Sequence, residues 1–238
     1  MAAPSPDLST VASRLLGDLL ARIQDGRWGV GTVLPGERVL MAEFSVSRVA
    51  LREALAALRA LGVLDTAHGR RSRVRPLGAE VLAWLLPLVL PADDPHAARH
   101  MLEVRLALEP QVAGLAARHF SAADEARLAA AVQDTANHAA AGGPAFVAAD
   151  LAFHHALAES CGNPLLHALV TALGGIYAGF VRENAADSLT VRRQAALDHA
   201  AILAAVRSRD SQRATAQMQQ HLLATASRRA KQDASPAE

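Results

Sequence analysis

The sequence is short of cysteine, of aromatics, of net charge and of long apolar runs, and each shortage excludes a class of protein. A single cysteine, Cys161, in 238 residues excludes an internal disulfide and the four-cysteine zinc knots; it suits a reducing compartment, so a cytoplasmic location is expected. The longest apolar run, Val81 to Leu90, contains Pro87 and is far shorter than the roughly 20 residues that cross a bilayer. No membrane association is expected. The opening MAAPSPDLST has neither a positive n-region nor an apolar h-region, so no secretory signal is expected there. With 24 Lys plus Arg against 23 Asp plus Glu, the net charge is +1, and any surface for a polyanion must come from the placement of charge.

What is present is alanine and leucine in quantity: 51% of the chain is hydrophobic and only 3% aromatic, which favours helix nearly throughout. The charge is uneven. Residues 1–78 carry 11 basic and 7 acidic side chains, net +4, while the remaining 160 carry 13 and 16, net −3. A small basic head therefore precedes a mildly acidic body. In the head, the spacing predicts helices over residues 8–24, 36–44 and 47–61, the third capped by Ser47 and closed by Gly62. Short strands at 63–66 and 72–75 flank a turn at His68-Gly69. Three helices and a hairpin make a winged helix-turn-helix over residues 1–75, with 76–79 as linker. The body, 80–231, reads as an all-α bundle with helices near 80–87, 96–118, 122–140, 145–160, 164–183, 191–208 and 211–230, and 232–238 as a disordered tail. Ser121 with Asp124 forms a capping box, Thr190 and Asp210 are expected N-caps, and Pro110 is expected to kink or split its helix.

In the head, Ser47, Arg48 and Arg52 sit in the first turns of the third helix. A helix N-terminus attracts phosphate, and an arginine fork matches guanine O6 and N7 in the major groove. Arg38 is placed near the start of the second helix, within reach of the DNA backbone. The wing His68-Gly69-Arg70-Arg71-Ser72-Arg73 suits a flanking phosphate or the minor groove. An arginine taken alone, Arg48 included, is more readily part of a solvated face. The run Leu34-Pro35-Gly36-Glu37-Arg38, followed by Val46-Ser47-Arg48-Val49-Ala50-Leu51-Arg52-Glu53-Ala54-Leu55 and by His68-Gly69, resembles the GntR-family winged helix domain. That resemblance covers residues 9–75. It implies DNA contacts at Arg38, Arg48, Arg52, His68 and Gly69, beside the Ser47 and Arg70 that the local reading adds. Gly36 replaces a small hydroxyl residue, Arg71 a wing glycine, and Val49-Ala50 a more usual Thr-Pro or Thr-Thr pair, so the bases read there do not follow from the family.

In the body, Asp150 and His154 fall with Phe146, Phe153 and Leu157 on one apolar helix face; His199 lies with Ala195, Ile202 and Val206, and His221 with Met218, Leu222 and Thr225. A lone histidine on such a face is more often a hydrogen-bonded core residue than a ligand. One carboxylate and three imidazoles pointing inward need pairing, and a divalent cation answers all four. Zinc leads for three nitrogens and one oxygen, with nickel, cobalt, iron and manganese also suitable. His155 points about 100° away from His154 and is not assigned. Arg105 shares its helix face with Leu102, Glu109, Val112 and Ala116, fitting either a ligand carboxylate or an internal pair with Glu109.

Asp150-x3-His154, Asp198-His199-Ala200-Ala201-Ile202 and Met218-x2-His221-Leu222 resemble the metal-binding branch of the all-helical FCD domain that follows FadR-type GntR heads. The resemblance implies Asp150, His154, His199 and His221 as ligands, and an arginine of the first long helix, here Arg105, against an effector. The expected protein is a transcription regulator and not an enzyme: a homodimeric repressor on pseudo-palindromic operator DNA, controlled by a small organic acid such as a sugar acid. A metal-dependent hydrolase with a basic appendage, with Glu159 as its only nearby base, and a regulator with a purely structural metal are the alternatives.

Overall fold

The computed structural model of the chain describes residues 10–66, 71–76, 79–89, 94, 96–184 and 188–233. The chain separates into two units, Met1–Val81 and Leu82–Glu238. In the first, α1 (Val11–Gln24) starts at Thr10, whose side chain accepts from Ser13 N. Next come α2 (Glu37–Phe44) and α3 (Arg48–Ala60). Ser45, at φ 53°, closes α2 in the left-handed region, and Ser47 Oγ accepts from Ala50 N at 3.2 Å to open α3. The sharp turn between those helices therefore rests on two serines. Strands β1 (Leu64–Thr66) and β2 (Ser72–Val74) pair antiparallel, with Leu64 opposite Val74, and Val33 adds a bridge to Arg73. Leu15, Leu19, Leu40, Leu51, Leu58 and Val74 close one core beneath them.

The unit boundary falls inside the short α4 (Glu80–Leu85), which a 3-10 turn, Leu86–Leu88, follows. The second unit is a bundle of α5 (Ala97–His119), α6 (Ala122–His138), α7 (Gly143–Glu159), α8 (Pro164–Asn184), α9 (Leu189–Arg207) and α10 (Ser211–Asp233). Its core joins Val112, Phe153, Leu157, Ile202, Met218 and Leu222. Gly114 marks a close approach of α5 and α10, since a Cβ there would lie 2.4 Å from Thr215 Oγ1 and 3.3 Å from the Ser211 carbonyl.

Two expectations are corrected and one is narrowed. Of a kink or a split at Pro110, the split does not occur: α5 runs unbroken past it. The lost i−4 hydrogen bond costs about 3 kcal/mol, and burial of Pro110 itself with Val112, Ala113, Ala116 and Ala117 offsets that cost. The N-cap of α9 is Ser188, which accepts from Val191 N, and not Thr190, which lies inside the helix. In place of a tail beginning at 232, α10 continues to Asp233; residues 234–238, like His68, Gly69 and Arg70 of the wing and positions 77–78 of the linker, lie outside the described residues.

The capping box of α6 is present: Asp124 Oδ2 accepts from Ser121 N at 2.9 Å and from Ser121 Oγ at 2.6 Å. Oδ1 accepts from Ser160 Oγ of α7 at 3.1 Å and meets Arg127. Burial works against the Asp124 carboxylate, but its bonds from Ser121 and Ser160 and the Arg127 charge outweigh burial and hold its pKa below the ordinary 3.8. A depressed carboxylate contributes stability that is present above its unfolded pKa and lost as pH falls through the folded value. Asp124→Asn is therefore expected to lower unfolding stability by about 1–2 kcal/mol at neutral pH. In urea titrations the wild-type and mutant values should converge on acidification below pH 3.8; a gap that persists unchanged would count against the charge as the source.

Candidate metal centre and nucleic-acid interface

Three helices of the bundle bring the four inward polar residues together. Asp150 and His154 come from successive turns of α7, His199 from the middle of α9 and His221 from α10. One donor atom from each lies within 4.8 Å of every other, against about 3.4 Å between ligands of a tetrahedral shell bound at about 2.1 Å, so small side-chain adjustments would close the four around a cation. His154, His199 and His221 are buried at 2%, 0% and 4% exposure, while Asp150 is half-buried. Asp150 Oδ1 is 3.5 Å from His199 Nε2, and Oδ2 is 4.0 Å from His154 Nε2.

Each imidazole is held from behind. Asp198 Oδ2 is 3.1 Å from His221 Nδ1, Thr135 Oγ1 of α6 is 3.4 Å from His199 Nδ1, and Glu109 Oε2 of α5 is 2.5 Å from His154 Nδ1. For His199 and His221 the acceptor at Nδ1 fixes the tautomer that leaves Nε2 as a lone-pair donor, while Glu109 meets His154 Nδ1 as a charge contact without hydrogen-bond geometry. Phe153 stacks on His199 with centroids 3.9 Å apart and planes 16° from parallel, which restricts the ring further. Burial, then the neighbouring His221 and His154, pushes the pKa of His199 well below the usual 6.5, so the ring is neutral and available as a ligand.

The fit to a cation rests on atoms left without partners. His154 Nε2 and His199 Nε2 are buried and make no hydrogen bond among the described residues. An unmet buried nitrogen costs about 1–3 kcal/mol, and both of these aim at the shared space beside Asp150. Three imidazole nitrogens and one carboxylate are the donor set of a borderline divalent metal. His155 is half-buried and directed at α8, where its Nε2 would lie 2.6 Å from a Cβ on Gly174. It stands apart from the cluster.

Arg105 makes the internal pair that its spacing allowed. It is 3% exposed, its Nε is 2.5 Å from Glu109 Oε1, and its guanidinium lies 4.5 Å from the centroid of Tyr177 on α8. Burial disfavours both charges, yet the attraction of Glu109 keeps Arg105 above its ordinary pKa, and Arg105 with His154 keeps Glu109 below its own. The result is a buried line, Arg105–Glu109–His154, ending at the cluster. The sequence assigned Glu109, Thr135 and Asp198 no part in holding the histidines. Asp198 was visible as the neighbour of His199, and Glu109 as a partner for Arg105, but their reach to histidines on other helices is a tertiary pairing that local spacing does not encode.

In the first unit, Arg38, Ser47, Arg48 and Arg52 are exposed. Arg52 is joined to Glu37 of α2 at 3.2 Å, a surface pair of about 0–1 kcal/mol, whereas Arg48 makes no ion pair among the described residues. Ser47 Oγ is engaged in capping α3. Arg59 donates to Ser72 Oγ at 2.9 Å and so ties α3 to the hairpin.

The comparisons agree with this architecture. The family model described as "Bacterial regulatory proteins, gntR family" matches residues 11–74, and the FCD domain model matches residues 100–224. The chain belongs to the GntR family and carries an FCD domain. This GntR-family chain is 32% identical over 208 residues to the HTH-type transcriptional repressor NanR of Cronobacter sakazakii, covering 86% of this chain and 80% of that protein. It is 31% identical over 210 residues to NanR of Escherichia coli K12, covering 86% and 79%. The solved structure of Streptococcus agalactiae GntR shares the fold, with a TM-score of 0.74 at 24% identity, covering 90% of this chain and 98% of that one. The family consists of DNA-binding regulators, so the hydrolase alternative is not favoured. Among the described residues no helix is long and apolar enough to cross a membrane.

Replacing both His199 and His221 by alanine is expected to abolish stoichiometric zinc uptake, measured by elemental analysis after dialysis. Asp198→Asn should leave binding present but weaker by about 10–100-fold. Full metal content in the double variant would sink the four-ligand arrangement.

Proposed function

We propose that this GntR-family regulator is a cytoplasmic transcription repressor, built as a winged helix-turn-helix over residues 1–75, a linker at 76–79 and a metal- and effector-binding bundle over 80–231. Arg38, Arg48 and Arg52, with Ser47 at the tip of α3 and His68, Gly69 and Arg70 in the wing, contact operator DNA. A homodimer presents two such heads to a pseudo-palindromic site. Asp150, His154, His199 and His221 hold a divalent cation, zinc by preference. The observation that carries this reading is the meeting of those four side chains with buried, unpartnered imidazole nitrogens.

A bound cation supplies a local positive charge at which carboxylate and water oxygens are held. The chain's own residues do the rest. Asp198, Thr135 and Glu109 orient the rings, and Arg105 offers a guanidinium to the carboxylate of a small organic acid such as a sugar acid, in exchange for part of its contact with Glu109. An effector alters DNA binding only if it favours one arrangement of the two heads over another. The tight Arg105–Glu109 pair favours a second reading, in which Arg105 is internally neutralised and the metal is purely structural.

Two measurements test these readings. Arg48→Ala is expected to weaken binding to a promoter-derived palindromic duplex by about 1–3 kcal/mol, with a smaller salt slope, in fluorescence anisotropy; no specific binding by the wild type at any salt would reject the regulator. In thermal shift with a panel of sugar acids and hydroxy acids, an effector at 100 times its Kd should add about 2.7 kcal/mol of stability. A flat response across the panel would select the structural-metal version.

A further inference from the structure

α3 carries an apolar residue where folding gives no reason for one. On a wheel of about 100° per residue, the buried arc of this helix holds Ala50, Leu51, Ala54, Leu55 and Leu58. Its opposite arc runs from Arg48 through Arg52 and Ala56 to Val49 and Glu53, all exposed. Val49 is 67% exposed, and no large apolar residue of the first unit is more so among the described residues. A β-branched side chain there is a poorer helix former than alanine and gains nothing from burial.

The surroundings of Val49 match a duplex. Arg48, beside it, is exposed with no ion pair among the described residues, Arg52 is one turn on, and the N-terminus of α3 favours phosphate. Beyond the first turn the same arc bears only Ala56 and Ala60 as apolar side chains, short enough to let the helix lie deep in a groove. In the major groove the apolar feature on a base edge is the thymine C5-methyl. We infer that Val49 reads a thymine methyl in each operator half-site, next to the bases that Arg48 and Arg52 contact. The inference rests on the DNA-binding reading above. It assigns a base preference to a position where a Thr-Pro or Thr-Thr pair is more usual.

The experiment uses the full chain. Duplexes are selected from a random library, and each thymine of the selected half-site is replaced in turn by deoxyuridine, which keeps the base pair and removes only the methyl. Loss of one buried methyl contact should weaken binding about fourfold per half-site at a single thymine. Val49→Ala, at an exposed helical position that tolerates alanine, should bind the parent duplex more weakly and bind the uridine and thymine duplexes equally. Selected sites without an invariant thymine, uridine substitutions that all bind within error of the parent, or a uridine effect unchanged in Val49→Ala would each overturn the inference while leaving operator binding intact. Failure to enrich any duplex would overturn the DNA-binding reading along with it.

Discussion

The bundle depends on how it compensates imidazoles and carboxylates taken out of water. His154, His199, His221, Glu109 and Arg105 are all buried, and each would be costly alone. None is alone. Arg105 and Glu109 neutralise one another, Glu109 also faces His154, and Asp198 and Thr135 stand behind the other two rings. Among the atoms left without a hydrogen bond are His154 Nε2 and His199 Nε2, which converge beside Asp150, where a bound cation would satisfy them.

That convergence needs precise helix placement, and the apolar packing supplies it. Phe153 stacks on His199, and with Leu157, Ile202, Met218 and Leu222 it packs α7, α9 and α10 into one core. The first unit works by the opposite logic. Its leucines are buried, and its guanidinium groups are left at the surface or in weak surface pairs such as Arg52–Glu37. One unit hides charge and must balance it; the other displays charge so that a polyanion can balance it.

Much of this was legible in the sequence, because it is local. Asp150 and His154 share a face by i, i+4 spacing, Ser121 and Asp124 announce a helix start, and Asn163 before Pro164 caps α8, with Asn163 Oδ1 accepting from Leu165 N and Leu166 N. The errors arose where two local solutions were nearly equal or where packing overrode a local rule. Ser188 and Thr190 are both competent caps two residues apart, and the helix starts at the first. Pro110 breaks an isolated helix, but in the bundle, where Pro110 and its neighbours are buried, α5 continues past it. The partners at each Nδ1 were invisible, since Glu109 and His154 lie 45 positions apart in the chain and meet only in the folded bundle.

Asp198 and His199 are consecutive on α9, yet one steadies the imidazole of α10 and the other is itself a donor. Their two directions, about 100° apart, are set by a single backbone step. Gaining or losing one residue in the turn before them would swing both away together, emptying one corner of the cluster and unseating the ring at another. This stretch of α9 can therefore exchange side chains over evolutionary time far more freely than it can change length.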